Sequence, residues 1–85
     1  MKADDNTMSR TERQREHMEQ VRAVLRRSAH ERVLRHIRRI EGLQSMAEAG
    51  LRPPLYDFEL EELRHLRVQR DAILAEMVAA GQVPG

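Results

Sequence analysis

The sequence predicts an all-α protein, an antiparallel helical hairpin over about 29–49 and 58–80 preceded by a further helical segment over about 10–27. Three observations predict it. From Glu12 to Ala49 there is no proline and one glycine, Gly42, while Met18, Val21 and Leu25, then Val33, Ile37, Ile40 and Leu43, recur at helical spacing. Arg52-Pro53-Pro54 cannot continue a helix, because each ring fixes φ and the residue before each proline avoids the α region. A second stripe follows in Leu63, Leu66, Ile73, Leu74 and Met77, closed by Gly81 and Pro84.

Residues 1–8 (MKADDNTM) lack periodicity and read as a disordered, solvated terminus. A single helical domain is expected over 9–81, with 82–85 as a C-terminal tail. Ser9 with Glu12 forms a capping-box pattern that starts the first helix. Further on, Val21, Val24 and Leu25 centre 110° or more around the helix from Val33, Leu34 and Ile37, at about 100° per residue. One straight helix therefore does not present one stripe: either the chain breaks at Ser28–Glu31, a second S-x-x-E pattern, or one long bent helix serves two surfaces. Gly50 suits the left-handed residue of a Schellman ending, with Leu51 folding back on Met46. Asp57 is the expected N-cap of the last helix, with Glu59, Glu61 and Glu62 near its positive end.

The core must be thin. Of 85 residues 40% are hydrophobic, but nine of those are Ala and only Tyr56 and Phe58 are aromatic. A chain this short hides about 60% of its unfolded surface, so the hairpin should be completed by a second copy, through Leu34, Ile37, Ile40, Leu63, Leu66, Ile73 and Met77. The absence of cysteine excludes disulfides, thiolate nucleophiles and thiol-bound zinc, and no apolar run exceeds four residues, as at Met77–Ala80, too short for a transmembrane helix. A cytoplasmic protein is the expectation, with no membrane partner.

Charge is distributed unevenly. The formal net charge is +1, yet Arg22–Arg39 holds seven arginines (Arg22, Arg26, Arg27, Arg32, Arg35, Arg38 and Arg39) against Glu31 alone. Guanidinium forks bind carboxylates and phosphates bidentately, so Arg22, Arg26, Arg27, Arg35, Arg38 and Arg39 are candidate partner contacts, as are Leu55, Tyr56 and Phe58 at the Pro-Pro turn. The competing reading is a solvated helix face, and for the turn residues a cap over the end of the core. No aromatic side chain lies among the arginines to stack on a base.

Catalytic patterns are missing. No Ser, His and Asp set is suggested by spacing, and the four glycines are dispersed rather than gathered in a phosphate loop. Glu62-x-x-His65, with Glu41 at similar height across the hairpin, is the spacing used by di-metal carboxylate bundles. Leu63 and Leu66 define the buried face and turn His65 away from it, so no metal ligand and no cofactor is assigned, and an exposed Glu61–His65 pair is expected instead.

Two stretches resemble helices of known families. Arg35–Gly42 (RHIRRIEG) looks like the first-helix segment of all-helical copper-sensing repressors, which bind copper through Cys and His; this chain has no cysteine and turns at Pro53-Pro54 where that pattern continues. Leu60–Met77 (LEELRHLRVQRDAILAEM) looks like the opening helix of small helical chorismate mutases, but here it ends the chain. Neither resemblance assigns a family. The expected function is that of a non-enzymatic, self-associating protein-protein interaction module: an adaptor, an inhibitor or a small subunit of a larger assembly. The alternatives are a dimeric regulator that binds RNA or DNA through the arginine-rich helix and, second, a di-metal carboxylate bundle.

Overall fold

The computed structural model describes the backbone of residues 2–82 and the side chains of residues 10–82. Two helices make up the fold, α1 (Lys2–Glu48) and α2 (Asp57–Ala79), packed against each other as an antiparallel hairpin. No strand occurs among the described residues.

The first helix does not break. Ser28, Ala29, His30 and Glu31 all lie inside α1, because none of them forbids helical φ and ψ and a cap at Ser28 would forfeit backbone bonds that continuation keeps. The separate helix over 10–27 is therefore the N-terminal part of α1. Helix also extends from Ser9 back to Lys2, so the Ser9–Glu12 pattern starts no element, and residues 2–8 are helical where a disordered terminus was expected. No proline or glycine interrupts the chain before Gly42.

Both helices end in the same device. After α1, Gly50 takes φ 76° and its N–H donates to the Ala47 carbonyl, while Leu51 N–H donates to the Met46 carbonyl at 2.8 Å. After α2, Gly81 takes φ 74°, its N–H donates to the Val78 carbonyl, and Gln82 N–H donates to the Met77 carbonyl at 2.8 Å. These are the paired bonds of a Schellman ending, which only glycine reaches without strain. Leu51 itself stays exposed, so the expected contact with Met46 adds little burial. The α2 N-cap is Tyr56 rather than Asp57: Glu59 reaches back to accept the Tyr56 N–H at 2.9 Å, and Asp57 becomes the first helical residue.

The core is one small cluster, Ile37 and Ile40 from α1 with Leu63 from α2, flanked by Val33, Leu55 and Leu66. Met77 is buried further along the hairpin. At the open end Gln82 bonds twice to α1: its Nε2 donates to the Ala23 carbonyl at 3.0 Å and its Oε1 accepts from Arg26 Nε at 2.6 Å. The second helix thus stops level with Ala23. Residues 2–22 project beyond it as an arm of about 32 Å at 1.5 Å per residue, and the molecule measures 73 × 17 × 16 Å. Its radius of gyration is 20.3 Å, against about 12 Å for a compact chain of this length.

Truncating either side of the cluster should be costly. Ile37→Ala or Leu63→Ala should lower stability by about 2–4 kcal/mol, read by thermal or urea unfolding. At dilutions where the chain is monomeric, amide hydrogen exchange should show residues 10–22 opening far faster than residues 33–45, since a helix without tertiary contacts is marginal in water.

Candidate interaction surfaces

Three surfaces surround the hairpin core. The first is the outward side of α1. Arg27, Arg32, Arg35, Arg38 and Arg39 are all exposed and, at about 100° per residue, lie at least roughly 100° from the line of contact with α2. Among the described residues none of the five makes an ion pair. Arg22 and Arg26 differ. Arg22 pairs with Glu19 at 2.9 Å, and Arg26 is half-buried, shared between Gln82 and Glu19.

The second surface is the arm. Along it and the helical turn that follows, Met18, Val21, Val24 and Leu25 are all exposed, Val21 at 38% and Leu25 at 61%. Because α1 continues unbroken, Met18, Val21 and Leu25 face about 110° away from the line through His30, Val33, Ile37 and Ile40. Beside the core, on the same side of α1 as this stripe, a groove of about 550 Å³ runs between the helices over Ala29, Val33, His36, Leu66, Ala72 and Ile73. On the opposite side a second groove, of about 370 Å³, is lined by Arg27, His30, Leu34, Arg38 and Met77. His30 is 8% exposed there and its Nε2 has no hydrogen-bond partner.

The third surface is the turn. Tyr56 and Phe58 stack with ring centroids 5.6 Å apart and planes 8° from parallel, and they remain 58% and 69% exposed. Leu55 alone of the three turns inward, against the Ile37–Ile40–Leu63 cluster. The turn is braced from below. Arg52 donates through Nη2 to Glu59 at 3.1 Å and through Nε to the Pro53 carbonyl. The Tyr56 N–H, and then Arg52, hold the Glu59 carboxyl below the ordinary glutamate range.

Of the residues expected to join two copies, Ile37, Ile40, Leu63 and Met77 are buried within one chain, while Leu34, Leu66 and Ile73 are half-buried at the grooves. Glu61 accepts from Arg64 and lies 3.2 Å from His65 Nε2, an exposed cluster that holds the Glu61 carboxyl low, chiefly through Arg64. Glu41 instead meets Arg67 across the hairpin at 3.5 Å. Among the described residues no three His, Cys, Asp or Glu side chains gather as a metal site, and no helix is long and apolar enough to cross a membrane. Sequence reasoning missed Gln82, whose position in a tail carries no periodic signal, and the orphaned nitrogen of His30. No family model, curated protein or solved structure matches this chain.

Two outcomes follow from the local chemistry. Lowered in the fold, the Glu59 carboxyl contributes stability that is present above the ordinary glutamate pKa and lost as pH falls through its folded value. Urea unfolding from about pH 7 to about pH 3 should therefore show a flatter acid limb for Glu59→Gln than for the parent. Replacing His30 by Leu removes a buried polar atom without a partner, a defect worth about 1–3 kcal/mol, and should raise Tm by at least about 4 °C.

Proposed function

We propose that this chain is a non-enzymatic helical interaction module that self-associates and acts by binding another protein, as an adaptor, an inhibitor or a small subunit. One observation carries the reading. The chain exposes 7007 Å², whereas a compact monomer of 9.9 kDa exposes about 5,200 Å². The excess of about 1,800 Å² falls within the range one partner contributes to an obligate homodimer, about 1,000–2,500 Å². Part of the excess is apolar, in Met18, Val21, Val24 and Leu25 along the arm and in Leu51, Tyr56, Phe58 and Leu60 at the turn. Exposed apolar side chains grouped in this way are expected of a chain whose folded form is completed by another. We place the module in the cytoplasm as part of the same proposal.

A second reading is favoured by the five unpaired arginines, which span about 18 Å of α1: a dimeric regulator that holds RNA or DNA by its phosphates. It lacks a stacking platform, since Tyr56 and Phe58 sit at the turn, at the far end of the hairpin from Arg27.

Light scattering in line with size separation, at low and moderate salt and with absorbance at 260 nm followed across the peak, tests both. The first reading expects a mass of at least twice 9.9 kDa, free of nucleic acid and indifferent to salt. A monomer at every concentration overturns it. Nucleic acid that co-elutes and is stripped by salt, with affinity falling by orders of magnitude, puts the second reading in its place.

A further inference from the structure

We propose that the arm of α1 docks antiparallel into the groove over Val33, Leu66 and Ile73 of a second copy, while that copy's arm docks reciprocally. This rests on the reading that the chain self-associates, and it says how. A two-fold contact must join each patch to its complement on an identical chain. Both complements lie on one side of α1: the ridge of Met18, Val21 and Leu25, and the groove beginning at Ala29 and Val33. Placing the two-fold axis at the height of residue 27, on the face of Leu25 and Ala29, sets Val21 opposite Val33 of the second copy, Leu25 opposite Ala29 and Met18 opposite His36. Small side chains at Ser28 and Ala29 let the two helices cross closely near that axis.

Length and charge agree with this register. The arm, residues 2–22 and about 32 Å long, lies alongside residues 32–52 of the second copy, the end of its α1 and the start of its turn. Each end of the dimer then becomes a three-helix bundle of α1, α2 and the other copy's arm. The flank of the arm turned toward the second copy's α2 carries Arg15 and Arg22, the latter shared with Glu19, and the facing edge of that α2 carries Glu62 and Glu76. The exposed area in excess of a compact monomer is of the size such an exchange would cover.

The chain has no cysteine, so introduced thiols report the register directly. Val21 and Val33 lie about 18 Å apart within one helix, beyond a short bis-maleimide, but within its reach across an antiparallel pair at about 8–10 Å. The double variant Val21→Cys/Val33→Cys should cross-link to a covalent dimer, and neither single variant should. A Val21→Cys single variant that cross-links at dimer mass indicates parallel arms. No cross-link in the double variant at dimer mass indicates another face. Either result overturns the arm exchange and leaves self-association standing. A monomeric mass for the parent overturns both. As a second measure, Leu25→Asp should shift the parent's dimer mass to monomer with helical circular dichroism of the hairpin retained; an unchanged dimer mass overturns the proposal.

Discussion

An unbroken α1 obliges one helix to face two directions. Its inward side chains follow one line from His30 to Ile40, where α2 covers them, and a line rotated by about 110° from Met18 to Leu25, where they stay exposed. Were the helix to end at Ser28, the N-terminal segment could turn and lay Val21 and Leu25 on the hairpin, and the chain would close on itself. Continuity prevents that. The projecting arm, the elongated shape and the large exposed area all descend from this one constraint. Backbone hydrogen bonds through Ser28–Glu31 are secured at the expense of apolar contacts for the Met18–Leu25 stripe.

The hairpin itself depends on few side chains. Ile37, Ile40 and Leu63 form the cluster, and Leu55 closes it at the turn. Much of the remaining order comes from backbone chemistry at the ends: two glycines in the left-handed region, two prolines that forbid helix, and the brace from Arg52 to Glu59. Such terminal devices place the helices in register without adding much apolar burial, so the hairpin is well defined and only modestly stabilised.

Where the fold was legible in the sequence, a local rule decided it. The stripes of α1 and α2, the Pro-Pro turn and both glycine endings each rest on residues within a turn or two of one another, and the structure has them as expected. The Asp57 cap gave way to Tyr56 because the Glu59 carboxylate reaches back to the chain before the helix, a competition between neighbours that residue preference alone does not rank. Ser28–Glu31 was ambiguous for a similar reason: the cap pattern was present but nothing compelled its use. The surfaces were less legible. The rotation between stripes was visible, but whether Ile37 and Met77 face a second copy or α2 depends on how closely two helices of one chain pack, a long-range property. Gln82 shows the same limit, since its partners Ala23 and Arg26 lie more than fifty residues away.

The Gln82 contact makes α2 a ruler. Because its far end is pinned to the Ala23 carbonyl and its near end to the turn, the length of α2 sets how much of α1 is sheathed and how much is bare. Each helical turn added to α2 would cover about 5.4 Å more of α1 and shorten the bare arm by the same amount. Insertions and deletions in α2 are thereby coupled to the reach of a segment they do not touch. A lineage could retune the length of bare helix by lengthening or trimming the second helix while leaving every residue of the arm unchanged.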